Sequence, residues 1–430
     1  MFVVNEPMKS LTIKAVSEQT GISVHTLRAW ERRYGVPRPS REPGNHYRLY
    51  DEDDIADVLW MKKQIDAGVS PAQASQLLQQ QRQSQLALAA ASEHPIMETQ
   101  SALQAALLKS DEALAQRLLD ETFATFTLEQ VALRIIQPTM LEIGERWMRG
   151  EATIWQEHFA THIVKQKLMA ILHSQPEPPP SAPHLICTCA PAEEHELGLV
   201  IVSLFARRRG WRVAYLGQGT PLASIADLVR SSGADAVATS VTTVVGLASL
   251  IPWLNPANRP GTKLAFGGRL INSVPALRDH LPGTFLGEDA LAGVRALIAV
   301  ESPKPVWSPN KRAWNAVHEL QAKRLKIAGD AVARLMTHAF VDAQAGEWTS
   351  EDLNFATLFL IDVLACALAF DAPDLMDLHR TWLRGMLLPR GVALPLIAAH
   401  LESVARVLNK VLQADDAQQF KLLLARMEEN

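Results

Sequence analysis

Residues 193–198 read Glu193-Glu194-His195-Glu196-Leu197-Gly198; Ser240 follows after 41 intervening residues and Gly267-Gly268 after 26 more. An imidazole on a loop serves as a metal ligand when one tautomer is held neutral and aimed. A carboxylate bonded to the distal nitrogen does this and raises the ligand's basicity. Glu193, two residues before His195, is placed to supply it. Gly198 lacks a side chain and lets a bulky tail pass close to a helix start. Ser240 offers a hydroxyl to an aromatic base or ribose, and Gly267-Gly268 leaves a slot with free backbone groups. The set describes a site for a large nucleotide-tailed cofactor bound through a histidine.

Such a site needs its three pieces at one edge of a sheet. Strand signals at residues 184–190, 211–216, 234–240, 263–266 and 284–286 alternate with helical ones at 194–208, 223–231, 245–254, 275–281 and 289–300. That alternation predicts a doubly wound parallel α/β domain, whose ligands lie outside the carboxyl ends of the strands. His195 then follows the first strand, Ser240 ends the third and Gly267 the fourth. Before this domain, residues 98–174 carry helical periodicity suited to a four-helix bundle, and the Pro-rich run 175–183 is a stiff linker. After it, residues 311–430 read as an all-α C-terminal domain, with helices at 314–325, 328–344, 350–370, 373–388 and 392–412 and a last one beyond Asp415. Asp377, His379, Arg380, Trp382 and Arg384 cluster on one of these helices with Arg390 just after it, a set able to meet the propionates and pyrroles of a tetrapyrrole.

The N-terminal region has its own chemistry. Residues 11–20 predict a short helix broken at Gly21, and Ser23 caps a second helix over 24–34, the arithmetic of a helix-turn-helix. The second helix carries His25, Thr26, Arg28, Arg32 and Arg33, while Leu27, Trp30 and Tyr34 are available for packing. A turn-rich segment with Arg38, Arg41, Tyr47 and Arg48 fits a β-wing against phosphates. Six arginines against Glu31 and Glu42 between residues 28 and 48 make a local +4 on a chain of net charge -4. That is the footprint of a nucleic-acid module on a larger regulator. Asp51 caps a further helix over 54–67, and Gln-rich residues 76–95 read as helix tail and linker. With 430 residues, no long uninterrupted apolar run and no secretory segment, a cytoplasmic protein of about three domains is expected. Cys187, Cys189 and Cys366 are too few for a disulfide framework and read as structural.

Thr26 to Gly35 (T-L-R-A-W-E-R-R-Y-G) and Arg48 to Ile55 (R-L-Y-D-E-D-D-I) resemble the MerR-type winged-helix DNA-binding domain. Residues 193–268 resemble the cobalamin-binding domain of the methionine synthase and mutase type, D-x-H-x-x-G, S-x-L and G-G, with Glu193 for the aspartate and Thr242 for the leucine. That resemblance makes His195 the lower axial cobalt ligand. Trp147 followed after nine residues by Glu157-His158 resembles the cap of light-responsive, adenosylcobalamin-dependent repressors of the carotenoid-gene type. There tryptophan, glutamate and histidine enclose the upper adenosyl group, and Ile154 can fill the apolar gap. Several such repressors carry a histidine directly after the tryptophan as upper cobalt ligand after illumination; here Met148 stands there, a soft thioether poorly matched to cobalt(III). The order of domains is similar to photoreceptors that join a cobalamin domain to a globin-like domain binding biliverdin or a related linear tetrapyrrole.

The expected organisation is a winged helix-turn-helix at 9–80, a linker at 81–97, a bundle at 98–174, the α/β cobalamin domain at 184–300 and a helical, globin-like domain at 311–430. The expected function is a non-enzymatic transcription regulator that binds a double-stranded operator as a homo-oligomer, dimer or tetramer, and senses light through adenosylcobalamin, with a bilin as second chromophore. Rival readings are a corrinoid-carrying methyl-transfer protein and a cofactor-free regulator controlled by a protein partner.

Overall fold

In the computed structural model, residues 11–41, 48–50, 52–66, 68–259, 261–298, 311–337 and 349–428 are described. The chain divides into two units, Met1–Met97 and Glu98–Asn430.

The first unit opens with α1 (Ile13–Thr20) and α2 (Val24–Tyr34). Gly21 ends α1 at φ 68°, a left-handed conformation that L side chains adopt rarely, and its N–H closes onto the Ser17 carbonyl. Ser23 then caps α2 by accepting the Thr26 N–H at 3.1 Å, so the helix-turn-helix geometry follows from the expected residues. The wing is a two-stranded antiparallel pair, β1 (Ser40–Arg41) and β2 (Arg48–Leu49). Helix α3 (Glu52–Asp66) completes a core of Val16, Ile22, Leu27, Trp30, Val36, Tyr50, Val58 and Met61. Asp51, expected to cap α3, lies outside the described residues. Residues 81–97, expected as a linker, carry helical backbone within α4 (Pro71–Leu108), Pro95 included. Alanine, glutamine and leucine dominate that stretch, and their high helix propensity gives this connecting segment its helical backbone.

In the second unit α5 (Glu112–Thr125), α6 (Leu128–Gln130), a π-helical turn (Val131–Ile136), α7 (Gln137–Met148) and α8 (Ile154–Ser174) form the helical segment before the sheet. The sheet holds β3 (His184–Cys189), β4 (Arg212–Gly217), β5 (Ala236–Ser240), β6 (Lys263–Gly267) and β7 (Thr284–Phe285), in the order β4-β3-β5-β6-β7. All four pairings are parallel. The helices between are α9 (Leu197–Arg208), α10 (Leu222–Ser232), α11 (Val244–Ser249), α12 (Arg269–Ser273), α13 (Leu277–His280) and α14 (Ala290–Ile298). Two expected helices are broken. The one expected over 245–254 stops at Ser249, whose hydroxyl donates to the Gly246 carbonyl at 2.6 Å, and continues as a 3-10 turn, Ile251–Leu254, with Pro252 inside it. The one expected over 275–281 reduces to α13, with α12 standing separately before it.

The C-terminal helices are α15 (Lys311–Ala322), α16 (Arg324–Leu335), α17 (Ser350–Ala369), α18 (Asp374–Leu387), α19 (Leu394–Val411) and α20 (Ala414–Glu428). α17 is long and apolar enough to cross a membrane, yet most of it is buried here as the central helix. Its apolar residues merge with those of the sheet region into one core. Contact is direct at α11, where the Cys366 thiol meets the Val244 carbonyl at 3.8 Å, and at α13, where His280 bonds the Phe370 carbonyl.

Candidate functional site

Strand register brings the three motif pieces to one level. Cys189 at the end of β3 pairs with Ser240 at the end of β5, and Ser240 pairs with Gly267 at the end of β6. The order β4-β3-β5 also places the topological switch between β3 and β5, the position at which parallel sheets of this kind bind ligands outside the carboxyl ends. The loop carrying His195 leaves β3 at that point.

That loop is held by one buried carboxylate. Glu193 is 1 % exposed, and its Oε1 accepts the His195 Nδ1–H at 2.7 Å and the His195 backbone N–H at 2.9 Å. Its Oε2 accepts the N–H groups of Thr242 and Thr243, each at 2.7 Å, and the Thr243 hydroxyl at 2.9 Å. The local bond from Glu193 to the His195 backbone competes with helix formation, so α9 begins at Leu197 rather than at the expected residue 194. Burial alone would raise the Glu193 carboxyl, but the bonds from the His195 ring and backbone and from Thr242 hold it below the ordinary glutamate range. His195 is raised by its bond to Glu193, against burial, with the charges of Glu193, Glu157 and Glu194 adding. Because Nδ1 is committed to Glu193, Nε2 is the available atom of a ring whose side chain is 61 % exposed. This is the second-shell arrangement that fixes a ligating imidazole's tautomer.

Two glycines beside this loop leave no room for a side chain. A Cβ on Gly268, at φ 133°, would lie 2.2 Å from the Val241 carbonyl oxygen. A Cβ on Gly246 would lie 2.6 Å from Glu193 Oε2. Around Gly198 the same atom would meet nothing within 4 Å, leaving open space at the start of α9, and Gly267 would accept it in ordinary contact with Leu286 at 3.6 Å. Ser240 is buried, and the hydroxyl that donates to Glu193 is that of Thr243.

The helical segment is tied over this edge. Glu196 is buried and binds Lys165 of α8, while the Tyr215 hydroxyl donates to its other oxygen at 2.5 Å. Arg269, directly after Gly268, reaches Glu145 of α7 at 3.6 Å. A capping box between Thr153 and Gln156 starts α8, setting Ile154 and Glu157 in its first turn and His158 directly after it. Glu157 accepts from Thr161 at 2.8 Å and bonds His158 Nδ1 at 2.9 Å, and its charge is felt at His195. Ile154 is 54 % exposed, and Trp147 and Met148 are half-buried at the end of α7. Thr243, Gly246, Glu196, Lys165 and Tyr215 escaped the sequence reading. Only the acidic run Glu193-Glu194-His195-Glu196 hinted that a second carboxylate serves the loop.

On the first unit, His25, Arg28, Arg32, Arg33 and Arg38 are exposed, and residues 25, 28 and 32 share one face of α2 opposite the buried Leu27 and Trp30. Thr26 is engaged in the cap, its hydroxyl 2.8 Å from that of Ser23. Arg48 of the wing pairs with Glu31 of α2 at 2.8 Å, which braces wing against helix. Tyr47 and the Arg41 side chain lie outside the described residues.

The six residues suggested for a tetrapyrrole do not form one constellation. Asp377 and Arg380 are engaged with Arg426 of α20, Arg384 is exposed, and the Arg390 side chain lies outside the described residues. His379 instead turns into the core and stacks with Trp382 and Phe359. The reason is helical phase: 377, 380 and 384 lie on one face of α18, and 379, 383 and 387 on another.

Residues 11–81 match the family model described as MerR HTH family regulatory protein, and residues 99–172 and 183–295 match two models described as B12 binding domain. The HTH-type transcriptional repressor CarH of Myxococcus xanthus is 32 % identical over 298 residues, covering 66 % of this chain and 99 % of that protein. The HTH-type transcriptional repressor CarA of the same organism is 30 % identical over 217 residues, covering 50 % of this chain and 71 % of that protein. The HTH-type transcriptional regulator MlrA of Escherichia coli is 41 % identical over 71 residues, 16 % of this chain and 29 % of its own. The likeness to CarH thus leaves a third of this chain unmatched, and the family models end at residue 295. With a MerR-type module followed by two B12-binding modules, the chain belongs to the family of HTH-type transcriptional repressors that includes CarH and CarA, cobalamin-binding regulators of DNA.

Proposed function

We propose that this regulator uses adenosylcobalamin as a light sensor, with His195 as lower axial cobalt ligand and α7 and α8 covering the upper face. The observation that carries the reading is the Glu193 shell: a buried carboxylate with both oxygens satisfied presents one exposed imidazole nitrogen at a sheet switch point. Thr242, Ser240, Gly267 and Gly268 line the crevice for the nucleotide tail, and Gly198 leaves its entrance open. Trp147, Ile154, Glu157 and His158 serve the adenosyl side, the carboxylate accepting ribose hydroxyls and the indole covering an apolar face. When bound, adenosylcobalamin supplies a cobalt–carbon bond that visible light breaks. The residues that feel the change are on α7 and α8, whose tethers to Arg269 and Glu196 set their position over the sheet.

The DNA-binding output is proposed to run through a homo-oligomer that engages several half-sites at once, so loss of assembly lowers affinity far more than loss of one contact. The relatives are named repressors, which supports repression as the sign of control. The test is an absorbance spectrum of full-length protein with adenosylcobalamin, in darkness and after illumination, beside sizing and operator binding on the same samples. A bound spectrum that changes with light together with oligomer size and DNA affinity supports the proposal. Absence of bound absorbance sinks it.

Two consequences follow for single residues. Gly246→Ala displaces the Glu193 carboxylate and frees His195 to rotate; cobalamin affinity is expected to fall about 10–100-fold, read by equilibrium dialysis. Operator affinity is expected to fall steeply with salt. Arg32→Ala should lower the slope of log K against log salt by about 1 if its guanidinium meets one phosphate.

For the bilin expected in the C-terminal helices, Asp377 and Arg380 of α18 are engaged with Arg426, while His379 lies on another face of the helix. A far-red band on adding biliverdin supports a bilin there, and its absence speaks against one.

A further inference from the structure

Glu196 follows His195 in the chain and is the N-cap of α9, yet its side chain makes no cap bond. A carboxylate at that position ordinarily accepts an N–H of the helix's first turn. Here it is 4 % exposed and turned elsewhere, with Oε1 bonded by the Lys165 ammonium of α8 and Oε2 accepting the Tyr215 hydroxyl of β4 at 2.5 Å. Gly217 keeps room for it, since a Cβ there would lie 3.0 Å from Glu196 Oε2. Burial and the bond to Glu196 hold Tyr215 above the ordinary tyrosine range, so the phenol stays a donor. A buried carboxylate is costly unless paired, and the best-attested use of such a pair is to fix the register of the elements it joins.

Register along α8 reaches the other side of the site. Glu157, Thr161 and Lys165 are four residues apart and share one face of the helix, and Glu157 accepts the Thr161 hydroxyl at 2.8 Å. Eight residues of helix make a rod of about 12 Å between Glu157 and Lys165. The anchor at Lys165 therefore sets where Glu157 stands relative to the His195 loop. We propose that Lys165, acting through Glu196, is a positioning residue that determines specificity for the upper ligand. It holds α8 where the site takes a cobalamin with a large upper group, adenosyl, in preference to one with a small upper group, hydroxyl. The proposal rests on the cobalamin reading above and adds to it the residue that makes the selection. Glu193, and not Lys165, holds the His195 ring, so the two faces are set by separate groups.

The test titrates full-length protein in darkness with adenosylcobalamin and with hydroxocobalamin, by equilibrium dialysis. The wild type is expected to bind adenosylcobalamin the tighter of the two. Lys165→Met is expected to lower that affinity ratio about tenfold, the loss of one hydrogen bond from the Glu157 carboxylate to the ribose. Hydroxocobalamin affinity and its histidine-bound spectrum stay unchanged, whereas a merely structural loss weakens both cobalamins alike. Lys165→Arg keeps the ratio, and so does Lys167→Met, which removes the ion pair of α8 to Asp120 of α5. Should Lys165→Met fail to fold because Glu196 is left as an unpaired buried charge, Lys165→Met/Glu196→Gln removes that charge and is expected to show the same fall. An unchanged ratio, an equal loss of both affinities, a fall in Lys167→Met, or a wild type that binds the two equally overturns the proposal and leaves cobalamin binding standing. A wild type that binds neither overturns the cobalamin reading, and the proposal with it.

Discussion

His195→Ala is expected to lower cobalamin affinity by more than about a hundredfold and to remove the histidine-bound spectral signature. Loss of a supporting partner alone costs metal sites about 10–100-fold, and this change removes the ligand itself. Glu193→Gln is expected to fall inside that range. Its amide has one acceptor oxygen where the carboxylate has two, so its nitrogen must face either the His195 ring and N–H or the donors of Thr242 and Thr243. Equilibrium dialysis with visible absorbance of the protein fraction separates the two variants. If His195→Ala binds as tightly as wild type with the same spectrum, His195 is not the cobalt ligand.

Gly268→Ala is expected to destabilise the sheet region severely, whether or not cofactor is present. A backbone at φ 133° and ψ 165° lies where essentially only glycine goes, a strain of about 1–3 kcal/mol for any other residue. The added methyl would also sit 2.2 Å from the Val241 carbonyl oxygen, a backbone atom that no rotamer change can move. Overpacking of that kind adds about 1–3 kcal/mol. At roughly 2–4 °C per kcal/mol in a region of this size, the thermal midpoint should drop by about 10 °C. Gly267→Ala is the control, since its Cβ meets only Leu286 at 3.6 Å, and it should shift the midpoint little. Equal effects at the two positions would contradict this account.

The expected elements were legible wherever local chemistry decides. Ser23 and Gly21 bound the helix-turn-helix through a cap and a left-handed turn, and Leu27 and Trp30 read as its buried face. Five strands stood out because a buried parallel strand is a short apolar run between turn signals. Residues 81–97 carry helical backbone that polar composition leaves open, and residue 194 lies outside the helix because a side chain can take a backbone N–H away from it. The set on α18 was read as a cluster from proximity in sequence, whereas helical phase turns His379 one way and Asp377 and Arg380 another.

By itself the sequence determined the kinds of chemistry present: a carboxylate two residues before a histidine, a basic helix after a capped turn, and the order of the modules. Those are matters of residue type and spacing along one chain. Tertiary structure alone decided that Thr243, 50 residues from Glu193, shares its carboxylate, that Gly268 and not Gly267 must be glycine, and that Glu145 and Lys165 tether the helices over the crevice. Each of these depends on strand register and on which backbone atom lies opposite, and register is settled by the packing of a whole sheet face and not by any local stretch.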